Sequence, residues 1–304
     1  MQSYKITIAV FLAGVLLYAT TVLALKVHAE CKTLKEAYAN AYWALQSDDV
    51  KTLSENLSGA LKQENRVKGN DITLLFTAIN RSDKHYSPAT NCIRYLIESG
   101  ADLNKGPIVH GVHLRPIIVC HTLGPCAHDV AKLLIENGAS FHDDEMTDRY
   151  CLCFSLPNRG LFDYYLSCGA RYDMFLERSP IKADNEKYKS SLLEEALFSN
   201  GVDLAMLKYV HELLPSHIQY VNPVGLVETF YFAPQSEKEN QVEKLKYILE
   251  HGVERNAVFT SRVYGSKCTG TLLDFAIREE AHEIVDLLKS LGCVETNSEI
   301  MVGK

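Results

Sequence analysis

The sequence predicts an all-α solenoid of stacked helix-turn-helix units, about six of them behind a degenerate N-terminal cap. Three observations predict it. A two-helix pattern recurs along the 304 residues, and self-similarity of this kind marks a repeat architecture. The second helix of each pair carries an apolar stripe of helical period and usually ends in glycine. The helices are too short to be stable alone in water, so each pair must bury its stripe against a neighbour.

Residues 1–29 stand apart from the rest. A short polar start with Lys5 precedes ITIAVFLAGVLLYATTVLAL at 6–25, twenty residues without a charge. That is long enough to span a bilayer as a helix. Val27-His28-Ala29 also offers a signal-peptidase site, so the segment reads as a signal anchor or as a cleaved signal peptide. Lys26, Lys32 and Lys35 follow the apolar run, and basic residues alone would hold that side in the cytoplasm. The signal-like layout points the other way, to an exported domain in the periplasm or at the inner membrane.

The repeat region is expected over 30–295, followed by a tail at 296–304. LKEAYANAYWALQSDDVKTLSENL at 34–57 reads as a helix pair degenerate enough to be a cap. TLLFTA at 73–78 pairs with CIRYLIESGADLN at 92–104, and RPIIVC at 115–120 with VAKLLIENGASFH at 130–142. DRYCLC at 148–153 pairs with LFDYYLSCGARY at 161–172, and SLLEEA at 191–196 with LAMLKYVHELL at 204–214. VEKLKYILEHGVERN at 242–256 is a second helix whose first helix does not stand out. The last and most regular unit is TLLDFAIREEAHEIVDLLKSLG at 271–292. Here Thr271 can cap the first helix. Ile284, Leu287, Leu288 and Leu291 form one stripe, and Gly292 ends the second helix. Ala78, Ala196 and Ala276 fall where two helices must approach closely. Cys120 and Cys153 take the equivalent place, where a thiol serves as a small hydrophobe.

This pattern resembles the ankyrin repeat. The resemblance rests on T-L-L-x-x-A and E-I-V-x-L-L…G within 271–292 and on L-I-E-S-G-A-D-L-N at 96–104, and it covers roughly 34–295. The His of the family's T-P-L-H tetrapeptide is replaced by Phe76, Ile118, Cys151, Glu194 and Asp274, so its inter-loop hydrogen bonds are not implied here. The spacing is irregular against a period of about 33 residues, with long insertions at 172–190 and 253–270. The resemblance implies a binding surface made of loop tips and the adjacent helix face. The loops carry His110, His113, Asp143, Asp144, Glu145, Arg149, Tyr172, Phe175, Arg178, Tyr188, Phe259, Arg262 and Tyr264. Tyr, Phe and Arg are residue types expected of interface anchors.

The net charge of −7 rests on 31 basic and 38 acidic residues. Loss of 1–29 would remove Lys5 and Lys26 and take it to −9. That acidity speaks against nucleic-acid binding by phosphate neutralisation. Nine cysteines cannot all pair within the chain. Cys92 lies on an apolar stripe. Cys268 and Cys293 are the disulfide candidates for an oxidising compartment, because the start and end of one helix pair lie close together.

Catalytic signatures are missing. HELLPSH at 211–217 separates its histidines by six residues with Pro215 between them, whereas a zinc-protease helix needs them one turn apart. HEIVD at 282–286 lacks a second His. His110, His113, His121, His128 and His142 cluster near Cys126, a metal-binding alternative to loop histidines that meet a partner. No phosphate loop, dinucleotide fingerprint or nucleophile elbow is present. No cofactor or metal is expected. The expectation is a non-enzymatic module that clasps one folded protein, such as an immunity protein that sterically inhibits a secreted bacterial toxin, for example an envelope-targeting lipase. The alternatives are a scaffold for an envelope complex, oxidative-stress protection or, less favoured, metal binding.

Overall fold

The structure is a computed structural model that describes residues 26, 29–30, 32–66, 73–80, 90–109, 112–140, 145–173, 176–178, 188–199, 201–230, 232–263 and 266–296. It is predominantly helical, and the sheet among the described residues consists of three two-stranded antiparallel hairpins. The chain divides into two compact units, Met1–Ser140 and Phe141–Lys304. The apolar segment 6–25 lies outside the described residues. Within them, no helix is long and apolar enough to cross a membrane.

In the first unit, α1 (32–47) and α2 (Val50–Arg66) form the expected N-terminal pair. They pack closely: a Cβ on Gly59 would lie 2.6 Å from that of Ala37. Asp48 turns the chain with φ of 53°, and its carboxylate accepts the Cys92 backbone N–H at 2.9 Å. Tyr42 and Trp43 meet edge-on at 6.0 Å, and Trp43 remains 68% exposed. α3 (Leu74–Ile79) is capped by Thr73, whose hydroxyl accepts the Phe76 N–H at 3.0 Å. α4 (Thr90–Glu98) packs against α2 and α3 and buries Cys92, Ile93, Leu96 and Ile97. A short hairpin, β1 (Ile108–Val109) with β2 (Val112–His113), leads to α5 (Pro116–Val119). A 3-10 stretch over Cys120–Cys126 follows, broken at Gly124 before Pro125. α6 (Ala127–Glu136) then lies against α4 and α5.

The second unit repeats one plan four times. The first helices are α7 (Glu145–Ser155), α9 (Leu192–Phe198), α11 (Val224–Phe230) and α13 (Leu272–Arg278). Their partners are α8 (Arg159–Ser167), α10 (Leu204–Leu213), α12 (Gln235–His251) and α14 (His282–Ser290). α7, α9, α11 and α13 pack in one row, and α10, α12 and α14 in another. Ala196 and Ala276 are fully buried, which is why the pattern needs a small residue there. The insertions fold back as hairpins, β3 (Leu176–Arg178) with β4 (Tyr188–Ser190) and β5 (Phe259–Val263) with β6 (Ser266–Gly270).

The chain departs from the sequence pattern at three places. α7 begins at Glu145, earlier than DRYCLC suggests. The buried thiol is therefore Cys151, 1% exposed, while Cys153 is half-buried. The fifth pair does have a first helix, α11, built from VGLVETF; its polar Gly, Glu and Thr hid it. Cys268 and Cys293 form no disulfide and are buried free thiols.

Acidic side chains tie two of the first helices to neighbouring loops. Asp274 accepts the Thr271 N–H at 2.7 Å within α13's own cap, and the Thr296 N–H at 3.1 Å from the loop beyond α14. Burial pushes its carboxyl up, but hydrogen bonds from Thr296 and Thr271 outweigh that and hold it below the usual carboxylate range. Glu194 likewise accepts the Asn222 N–H at 3.3 Å.

Candidate protein-binding surface

The second helices α8, α10 and α12 bring together a set of half-exposed aromatic and basic side chains. α8 starts at Asn158, whose side chain accepts the Leu161 N–H at 3.1 Å. Leu161, Phe162 and Tyr165 face inward, each 1% exposed or less. The helical period then turns Arg159 and Asp163 outward, one turn apart. Arg159 Nε reaches both carboxylate oxygens, at 2.7 and 2.9 Å. α10 is capped by Asp203, which accepts the Met206 N–H at 2.8 Å. Burial of Met206, Leu207 and Val210 leaves Lys208, Tyr209, His211 and Glu212 toward the surface. The Arg159 guanidinium lies over the Tyr209 ring, 3.2 Å from its centroid, and Phe162 supports that ring edge-on from below.

Two residues further along α10, on the side toward the next helix, His211 meets α12. Its Nδ1 is 2.8 Å from the Tyr247 hydroxyl. Tyr247 in turn stacks on His251, its i+4 neighbour, with centroids 4.0 Å apart. Burial raises the Tyr209 phenol, helped by a hydrogen bond with Asp163 and that group's charge. Burial and then the charge of His251 hold His211 below the usual imidazole value. Burial and Glu212 raise Tyr247. These shifts favour the uncharged forms of the Tyr209, His211 and Tyr247 rings at neutral pH, with Arg159 and Lys208 beside them. Arg and Tyr anchors held in place by ring and ion-pair contacts lose less freedom when a partner arrives, and these types dominate binding energy at interfaces.

The loop residues expected to bind are placed differently. Arg149 is not an accessible anchor: it is 2% exposed on α7 and its Nη2 donates to the Ser190 carbonyl at 2.7 Å. The early start of α7 turns it inward, beside Asp148, which binds Arg171 at 3.1 Å. His113 lies in β2 opposite Ile108 and accepts the Gly106 N–H at 3.3 Å, so it also supports a hairpin. Tyr172 is at the surface, 36% exposed. Phe259 is half-buried opposite Gly270. Glu145 opens α7, Arg178 pairs with Tyr188 across β3–β4, and Arg262 pairs with Lys267 across β5–β6. His110, Asp143, Asp144, Phe175 and Tyr264 lie outside the described residues.

Sequence reasoning missed Arg159, Tyr209 and Tyr247, and read His211 only as a rejected metal ligand. The available signal was the helix period, which places these residues on the outward side of helices whose inward side is plainly apolar. Among the described residues no group of three His, Cys, Asp or Glu side chains is arranged to hold a metal. No known family model matches the chain, and no curated protein matches it.

Proposed function

We propose that the chain is a non-enzymatic protein-binding module built of ankyrin-like helix pairs, exported or membrane-anchored through residues 1–29, which inhibits a folded partner by covering it. The ordered face of Arg159, Tyr209, His211 and Tyr247 on three consecutive second helices carries this reading. The ankyrin likeness is supported by the order within the last unit: a hairpin, a Thr cap, a short first helix, a second helix, and a glycine at φ of 79°. An immunity protein that blocks a toxin, such as an envelope-targeting lipase, is the form of inhibitor this reading favours. It accounts for an export segment beside a chain whose sequence lacks catalytic signatures.

The test is affinity capture of the tagged chain from native membrane and periplasmic fractions, run beside the double variant Arg159→Ala/Tyr209→Ala. One stoichiometric partner, inhibited by the chain and held about tenfold or more weaker by the variant, is the expected outcome, since losing an interface anchor costs about 1–2 kcal/mol or more. A partner held equally well by the variant would remove this face from the reading. Capture of no protein would overturn the function itself.

A further inference from the structure

His211 and His251 stand on different helices and converge on one tyrosine. His211 Nδ1 lies 2.8 Å from the Tyr247 hydroxyl, and His251 Nδ1 lies 2.7 Å from the Tyr247 carbonyl oxygen. The two imidazoles are themselves edge-to-face at 5.9 Å. Lys208 Nζ is 5.4 Å from the Tyr247 ring centroid. Three basic side chains thus surround one phenol at the seam of α10 and α12. The charges that reach His211 are those of His251, across the seam, and Glu212 on its own helix. Glu212 also reaches Tyr247. The nearby Arg159 is matched by Asp163. His217, in the 3-10 turn Pro215–Tyr220 that follows α10, is buried.

We propose that this seam docks an acidic protein segment, and that protonation of His211 and His251 switches it from weak to tight binding. The proposal rests on the protein-binding reading and specifies the partner's chemistry. Histidine is the side chain that ordinarily gains charge between pH 8 and 5. When both imidazoles are protonated, Lys208, His211 and His251 place three cations at the seam, where Glu212 is the carboxylate whose charge reaches His211 and Tyr247. The two imidazolium groups repel one another at this distance, and an incoming carboxylate relieves that repulsion. The Tyr247 hydroxyl then accepts from the protonated Nδ1 of His211, which leaves its own proton free to be donated to the ligand. A ligand that prefers the protonated form draws protons onto it, so affinity rises as pH falls.

The probe is a fluorescently labelled oligo-aspartate peptide, which stays ionised well below pH 6. Its binding to the full-length chain is read by anisotropy at pH 7.5 and 5.5 at constant ionic strength. The expected result is at least tenfold tighter binding at pH 5.5. In His211→Gln/His251→Gln the change should shrink to less than about twofold. Should the double variant fail to fold, His251→Gln alone, which loses one bond to its own helix, must reduce the pH effect measurably. Equal tightening in parent and variant would assign the effect to the net charge of the chain and overturn the proposal. So would failure of the parent to bind at pH 5.5. Either failure is distinct from failure of the protein-binding reading, which is judged by capture of the natural partner.

Discussion

Lys244 shows how far one side chain can depart from its usual place. It lies on α12 with 1% exposure, and its ammonium donates to the carbonyls of Ala196, Leu197 and Ser199 at 3.2–3.4 Å. These are the carbonyls that the end of α9 leaves without helical partners, where a cation is favoured. Burial nevertheless lowers its pKa to about 8, against the pull of Glu237 and Asp203. The unfolded chain therefore holds this proton more tightly than the folded chain between about pH 8 and 10.5. The linked stability rises with pH across that window and is flat below it. Urea midpoints followed by far-UV circular dichroism should show the parent gaining on the order of 1–2 kcal/mol over Lys244→Met between pH 7.5 and 9.5. A constant difference between the two proteins would contradict the lowered value.

Glycine serves the helices of this chain in two different ways. Gly138 follows α6 at φ of 91°, and an added Cβ would meet nothing within 4 Å. Gly138→Ala should therefore cost only backbone strain, about 1–2 kcal/mol, without changing the slope of denaturant unfolding. Gly59 lies inside α2, where a methyl would strike Ala37 of α1. Gly59→Val should separate that pair, with a larger loss of stability and loss of helical signal. The C-terminal glycines were legible because they close apolar stripes of helical period. Thr271 was legible as a cap for a similar reason: it begins a short apolar helix. α11 was not legible, since a seven-residue helix holding Gly225, Glu228 and Thr229 has too few apolar positions to reveal its period. The hairpins within 172–190 and 253–270 were read only as insertions. Their strands are three and five residues long, and their pairing depends on where the flanking helices hold their ends.

For the chain as a whole, the binding surface was less legible than the helices. Loop composition pointed to thirteen residues, yet Arg149 is enclosed and His113 braces a hairpin. Composition reports which side chains suit an interface, whereas exposure depends on the register of each helix. Asp148 and Arg149 follow this logic: a start of α7 at Glu145 turns both inward. The Arg159–Tyr209 contact is invisible to a linear reading because its partners are fifty positions apart and meet only when α8 packs beside α10.

The exposed indole of Trp43 has a practical consequence for experiments on this protein. It is the single tryptophan of the chain, and it sits on the surface of α1. Its emission should already be red-shifted and readily quenched by acrylamide in the native state, and it should change little on unfolding. A blue shift on adding a partner would then report contact at α1, a spectroscopic window on the first unit.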